Sequence, residues 1–384
     1  MALKVAARGA IPAFMVMDVM RAANAREAAK QAVYHLEVGQ PGTPAPQGVL
    51  RAAHAALDSQ RLGYTEALGI PELRAAVAKH YADSYGVALD PARVVATTGS
   101  SAGFVLSFLA AFDAGDRVAL AAPGYPCYRN ILGALGIEPV MLPATEADRF
   151  QPTPALLDRA RAEGPLDGLI VASPSNPTGT MLDPEALRAL AAYCDRHGIR
   201  LISDEIYHGI TYGMRAETAL AATDTAVVIN SFSKYFSMTG WRLGWMVVPA
   251  DLLRAVECLA QNLFISPPSL SQHAAVAAFD CHEELQANLR HYAANRAMLL
   301  EELPKAGFDR LAPADGAFYI YADVSRLTND SEAFCRRMLD ETGVAATSGL
   351  DFDSERGNRF LRFSFAGTAG DVRGAVAALK DWRR

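Results

Sequence analysis

Between residues 94 and 248, short β-rich runs alternate with Ala/Leu-rich helical stretches, and this alternation constrains the fold more than any other feature of the chain. The runs lie at 94–97, 117–121, 138–142, 168–172, 200–204, 226–231 and 244–248. Seven such runs separated by helices predict an α/β architecture whose seven-stranded, mostly parallel sheet is flanked by helices. Residues 184–198 show the helical half of the pattern, with Pro184 at a first-turn position and a stop at His197-Gly198. From residue 283 the order becomes helix (283–303), strand (318–323), helix (331–342), two strands (344–347 and 359–364) and helix (369–382). That order predicts a smaller α+β domain. A helix at 15–31 and a short strand at 34–38 are expected to complete it, followed by an extended Gly/Pro-rich loop from Gly39 to Pro46. The expected division is a large domain over 45–285 and a small one built from 1–44 and 286–384.

The 384 residues suit two or three domains at ~100–200 residues each. The 36 basic and 42 acidic residues leave a net charge of −6, which argues against a nucleic-acid binder driven by phosphate attraction. Cys127, Cys194, Cys258, Cys281 and Cys335 are odd in number, widely spaced and form no CxxC. They predict free thiols in a reducing compartment, with neither a disulfide framework nor a metal site. No run reaches the ~18 apolar residues of a membrane span. The apolar stretch at 10–17 is short and broken by Pro12, unlike a secretion signal. The expectation is a soluble cytoplasmic protein.

Ligands of open α/β sheets bind beyond the carboxyl ends of the strands. At those ends lie Thr98-Gly-Ser-Ser-Ala-Gly103, Pro123-Gly-Tyr-Pro126, Ser173-Pro-Ser-Asn-Pro-Thr-Gly179, Asp204-Glu-Ile-Tyr207 and Ser231-Phe-Ser-Lys234. The chain has only six lysines, and Lys234 is the one that ends a buried strand, beside Phe232, Tyr235 and Phe236. Desolvation lowers an amine's pKa and makes it a nucleophile toward a carbonyl. The competing reading is a lysine whose ammonium reaches the surface. Asp204 suits a protonated ring nitrogen, or else caps the next helix. Tyr207 is placed to reach a phenolic oxygen. Asn176, held between Pro174 and Pro177, suits a hydrogen bond to a planar ligand, or serves the turn alone. The small residues from Gly99 to Ala102 open a helix and expose backbone N–H groups to an anion. Ser231, Ser233 and Arg242 add hydroxyls and a guanidinium. An amine, a carboxylate, a phenol, an amide and a phosphate cradle together meet the demands of pyridoxal 5′-phosphate.

In order and spacing, the Ser-Asn-Pro-Thr-Gly, Asp-Glu-Ile-Tyr and Ser-Phe-Ser-Lys boxes, the last followed eight residues on by Arg242, resemble the class I/II aminotransferases of PLP fold type I, the aspartate aminotransferase-like superfamily. The resemblance runs from Leu36 to Phe365. It implies that Lys234 is the Schiff-base lysine and proton shuttle, and that Asp204 is the pyridinium partner. Asn176 and Tyr207 would hydrogen-bond the ring 3-oxygen, and Tyr125 would stack on the ring. Ser100, Ser101, Ala102, Ser231, Ser233 and Arg242 would form the phosphate cup. Tyr64, in Gly63-Tyr-Thr-Glu-Ala-Leu-Gly69, would reach the phosphate of a neighbouring subunit, which implies a homodimer. Arg362, in Phe360-Leu-Arg-Phe-Ser-Phe365, would grip the substrate α-carboxylate, and Gly39 would close over the substrate.

Members of this family that take aspartate need a second cation for its ω-carboxylate. Here no Lys or Arg occurs between Arg254 and Arg290, and Ser101 stands where one subgroup has a lysine. The segment Ile11-Pro-Ala-Phe-Met-Val-Met17, similar to the strip that lines the substrate pocket, is apolar. The resemblance therefore implies a neutral amino donor (alanine, a branched-chain or an aromatic amino acid) with 2-oxoglutarate as a common acceptor. No cation for that acceptor's second carboxylate is identifiable. Two alternatives share features of this cup: a β-elimination (C–S) lyase or cyclopropane-forming synthase, and the sensing domain of a PLP-dependent regulator. The latter would carry a DNA-binding domain ahead of the fold.

Overall fold

The computed structural model describes residues 3–382. Helix α1 (Met15–Ala28), strand β1 (Tyr34–His35), α2 (Gln47–Ser59) and α3 (Pro71–Tyr85) come first. The alternating region follows as β2 (Val94–Thr97), α4 (Gly99–Ala111), β3 (Arg117–Ala122), α5 (Pro126–Leu135), β4 (Glu138–Pro143), α6 (Pro154–Ala162), β5 (Gly168–Ala172), α7 (Pro184–His197), β6 (Arg200–Asp204), β7 (Val227–Ser231) and β8 (Gly244–Val247). Then come α8 (Ala250–Leu263), α9 (Ser269–Val276), α10 (His282–Lys305), β9 (Tyr319–Asp323), α11 (Ser331–Thr342), β10 (Val344–Ala345), β11 (Thr347–Ser348), β12 (Phe360–Ser364) and α12 (Ala369–Asp381).

Strands β2 to β8 form one seven-stranded sheet in the order β2-β8-β7-β6-β5-β3-β4. Only β8 runs against its neighbours, pairing antiparallel with both β2 and β7. Side chains alternate between two cores. Leu169, Val171, Leu201 and Val228 face one. Ile170, Ile202, Val227 and Ile229 face the other. A strand buried on both faces must be apolar throughout, which is why these runs were legible. The helix signals also hold at atomic level. Asp183 accepts the N–H of Ala186 at 2.8 Å, Pro184 opens α7, and Gly198 closes it at φ +66°.

The register fixes the functional edge. Ala172 pairs with Asp204, Asp204 with Ile229, and Ser231 with Gly244. A Cβ on Gly244 would lie 2.8 Å from the carbonyl oxygen of Asn230 and 3.0 Å from the nitrogen of Ser100. The start of α4 therefore packs directly on the Ser231 strand end, an approach that only glycine permits.

The C-terminal region has its own core and a three-stranded antiparallel sheet, β11-β12-β9. The N-terminal segment joins it, because β1 pairs in parallel with β10. Two strand expectations are revised. Residues 344–347 are not one strand: β10 pairs with β1 and β11 with β12, so the chain changes sheets at Ala346. Residues 36–38 leave the ladder after His35. They thread between the two sheets, with the Leu36 carbonyl accepting from Ser364 N and the Glu37 carbonyl from Thr347 Oγ1. All five cysteines are free. Among the described residues no helix is long and apolar enough to cross a membrane.

Candidate active site

A cavity of about 240 Å³ opens at the carboxyl edge of the large sheet. Two larger cavities, of about 500 and 650 Å³, lie elsewhere and contain none of the residues expected to bind cofactor or substrate. The chemistry therefore locates the site better than volume does.

Lys234 projects into this cavity from the turn after β7. Its amine donates to the Gly39 carbonyl at 2.6 Å and lies 5.8 and 5.9 Å from the ring centroids of Tyr207 and Phe318. The residue is partly buried, with its amine turned inward to that carbonyl. Burial, reinforced by the positive field of Arg362 and opposed by Asp204, brings its pKa down to about 8. A large fraction of an amine at that pKa is neutral, hence nucleophilic, in mildly alkaline solution.

Asp204 ends β6 and is buried. One oxygen accepts the N–H of Ile206 at 3.0 Å, and the other accepts a hydrogen bond from the Tyr128 hydroxyl. Burial nonetheless pushes its carboxyl up to about 6, against the pull of Tyr128, Ile206 and Lys234. A carboxylate this poorly solvated calls for a cationic partner.

Arg362, on β12, is buried with its guanidinium between the rings of Tyr319 and Phe352, 4.4 and 4.7 Å from their centroids. Nη1 donates to Asn176 Oδ1 at 2.8 Å and Nη2 to the Glu37 carbonyl at 2.5 Å. Nε is buried with no partner, so the hydrogen bonding of the guanidinium is incomplete without a further acceptor. Because Arg362 can only donate, Asn176 must present its oxygen to it, which leaves the amide N–H₂ to donate elsewhere. Tyr207 and Tyr319 share a hydrogen bond of 2.7 Å between their hydroxyls. Burial raises the Tyr207 pKa far enough to keep the phenol protonated. A Cβ on Gly39 would fall 1.7 Å from the Tyr319 hydroxyl oxygen, so that approach too requires glycine.

At the other end, Ser100 and Ser101 in the first turn of α4 line the cavity with Ser233 and Arg242. A Cβ on Gly99 would meet Arg242 Nη2 at 2.5 Å, so the guanidinium lies against the helix start. Ser231 does not line the cavity. Its hydroxyl donates to Ser233 Oγ at 2.8 Å and accepts from Ser233 N at 3.1 Å, fixing that turn. Helix amides, two to three hydroxyls and a guanidinium suit a phosphate dianion. With a buried carboxylate and a desolvated amine in the same cavity, the residues present fit pyridoxal 5′-phosphate.

Residues 32–379 match the family model for aminotransferase class I and II. The chain belongs to that family. This aminotransferase is 54% identical over 383 residues to the valine–pyruvate aminotransferase of Mycobacterium tuberculosis, covering 99% of this chain and 98% of the relative. It superposes on a crystal structure of an aminotransferase from Mycobacterium tuberculosis with a TM-score of 0.97, at 54% identity and 99% coverage of both chains. Against the aspartate aminotransferase of Thermus thermophilus with maleate the TM-score is 0.91, at 27% identity and 99% coverage of both. It is a pyridoxal-phosphate-dependent transferase that moves an amino group to a 2-oxo acid. The lyase, synthase and regulator readings are set aside.

Eleven of the residues singled out from the sequence line the cavity of this aminotransferase: Gly39, Ser100, Ser101, Tyr125, Asn176, Asp204, Tyr207, Ser233, Lys234, Arg242 and Arg362. Three do not. Ala102 is buried in α4, Ser231 acts on Ser233, and Tyr64 is 85% exposed on the single chain. Sequence reasoning missed Tyr128 and Tyr319, which hydrogen-bond Asp204 and Tyr207. For Tyr128 a signal existed: it sits three residues after Tyr125, in the first turn of α5, and the two rings lie 5.3 Å apart.

Proposed function

We propose that this aminotransferase takes a neutral, branched-chain amino donor of the valine class and passes its amino group to a monocarboxylic 2-oxo acid such as pyruvate. The observation that carries the proposal is the inventory of cations. Among the described residues lining the cavity only Lys234, Arg242 and Arg362 are basic. Lys234 is needed for the chemistry, Arg242 for the phosphate and Arg362 for the α-carboxylate. None remains for a second carboxylate, and an unpaired buried carboxylate is costly. Phe14, Val16 and Met17 line the same cavity and offer apolar contact to a side chain. The same inventory replaces 2-oxoglutarate, the acceptor expected from the resemblance, with a monocarboxylate. The name of the Mycobacterium tuberculosis relative agrees with both choices.

Bound pyridoxal 5′-phosphate supplies an electron sink for the pair left when the substrate Cα–H bond breaks. The residues have separate tasks. Arg362 orients the substrate by its carboxylate, so that the Cα–H bond faces Lys234. The Lys234 amine takes that proton and returns it one position along. With the cofactor bound, Asp204 would hold positive charge at its ring nitrogen, and Tyr207 and Asn176 would donate to its ring oxygen. Tyr125 would cover the ring, and Ser100, Ser101, Ser233 and Arg242 would hold the phosphate.

Steady-state rates for a panel of amino acids with pyruvate or 2-oxoglutarate test the substrate proposal. Valine and its neighbours should exceed aspartate by at least about a hundredfold in kcat/KM, the scale on which a missing charge partner discriminates. Aspartate ahead of every neutral donor would sink it.

We also propose a homodimer in which Tyr64 completes the phosphate cup of its neighbour. The exposure of this tyrosine, with Leu263 and Ile265 also half exposed, supports the proposal. Mixing Lys234→Ala subunits with Tyr64→Phe subunits should restore activity above the mean of the two parents, because one site of each heterodimer is then intact. Activity that stays at the mean after subunit exchange has been verified would overturn it.

A further inference from the structure

The start of α1 poses a problem that the sequence does not solve locally. The first amides of a helix have no partner within it. The residue at the N-cap is Phe14, which has no side-chain acceptor, and no local cap bond forms. The helix is also thinly anchored, since only Val16 and Ala23 are buried along it. Yet Phe14, Val16 and Met17 form the apolar wall of the active-site cavity.

The missing cap comes from the far end of the chain. Asp351 Oδ1 accepts the N–H of Met15 and Oδ2 that of Val16, both at 3.2 Å. Asp351 is 2% exposed. Its own carbonyl accepts from Arg129 Nη2 at 2.7 Å, and Arg129 follows Tyr128 on α5. One aspartate thus ties the substrate-facing wall to the small sheet's loop and to the helix that carries the Asp204 partner. A negative charge at a helix N-terminus is favourable in itself.

We propose that Asp351 is a positioning residue: its carboxylate latches the first turn of α1 over the cavity and thereby sets which amino-acid side chains are accepted. The donor part of this inference rests on the neutral-donor proposal above, whereas the latch does not. Asp351 does not line the cavity, so its removal should act on side-chain recognition and leave the chemical step alone.

The test uses the holoenzyme and the variants Asp351→Ala and Asp351→Asn. In Asp351→Ala, KM for L-valine should rise by about two- to thirtyfold, the range set by loss of a helix N-cap. KM for L-alanine, whose methyl group barely reaches the wall, should stay within about twofold, as should kcat for both donors. The absorption spectrum of the bound cofactor should not change. Amide exchange at residues 15–17 should accelerate by a similar factor, with Asp351→Asn, which keeps one acceptor oxygen, in between. An equal rise in KM for alanine and valine would place the effect on Arg362 instead and overturn the proposal. Unchanged exchange at residues 15–17 would overturn the latch itself, whatever the donor. The wild-type donor panel alone decides the neutral-donor proposal, so the two failures are distinguishable.

Discussion

Lys234→Ala should abolish transamination, lowering the turnover rate by at least about ten-thousandfold, because it removes the group proposed both to attach the cofactor and to transfer the proton. The geometry offers no substitute. The other five lysines lie outside the cavity, and the only other cations lining it among the described residues are arginines, which stay protonated near neutral pH. Borohydride treatment of the wild-type holoenzyme should fix the cofactor at Lys234, as read by peptide mass spectrometry. The same treatment of the variant should fix none. An adduct at another lysine, or residual transamination within about a hundredfold of wild type, would refute the assignment. The folded state should survive, since removing a desolvated amine leaves only the Gly39 carbonyl short of one donor.

Asp204→Asn should separate stability from activity. Activity should fall by about a hundred- to a thousandfold, the scale of losing one preorganised electrostatic partner. The apoprotein should become more stable at neutral pH. The carboxyl of Asp204 is raised from 3.8 to about 6, so between those values the folded chain holds a proton that the unfolded chain has released. Stability then falls as pH rises through that window and stays low above it. The cost of keeping Asp204 ionised is on the order of 3 kcal/mol at pH 7, at 1.36 kcal/mol for each unit of pKa difference. Removing the titration should recover up to about that much above pH 6 and nothing below pH 4. Denaturant unfolding of both apoproteins at pH 4 and pH 7.5 measures the difference. A gain of equal size at both pH values would show that the effect is packing and not charge. A carboxylate held at such a cost is typical of a group kept for its chemistry.

The parts of this molecule that the sequence made plain are those governed by neighbours along the chain. Apolar runs gave the seven strands, and local caps such as Asp183 and Gly198 bounded α7. The strand ends then brought Asn176, Asp204 and Lys234 to one edge, because parallel strands linked by helices place their carboxyl ends together. What escaped depends on distant pairs. Tyr128 meets Asp204 across 76 residues, Tyr319 meets Tyr207 across 112, and Asp351 meets Val16 across 335. No periodicity reports such a contact. The reversal of β8 escaped for a different reason. The link from Ser231 to Gly244 carries no crossover helix, which leaves an antiparallel return as the natural pairing, and its length is the only local mark of the reversal. The change of sheet at Ala346 left no mark, because Val344-Ala-Ala-Thr347 reads as one buried strand.

Arg362 draws its hydrogen-bond partners from three parts of the chain: Asn176 beyond β5, the Glu37 carbonyl in the threaded N-terminal segment, and Thr347 on β11. The residue proposed to grip the carboxylate is therefore also a rivet between the large sheet's edge and the small sheet. Any hinge movement that parts them must break the bond to Asn176, and the same movement spoils the alignment of the donors that hold the carboxylate. On the proposed role of Arg362, parting the sheets and releasing a bound carboxylate would be a single event.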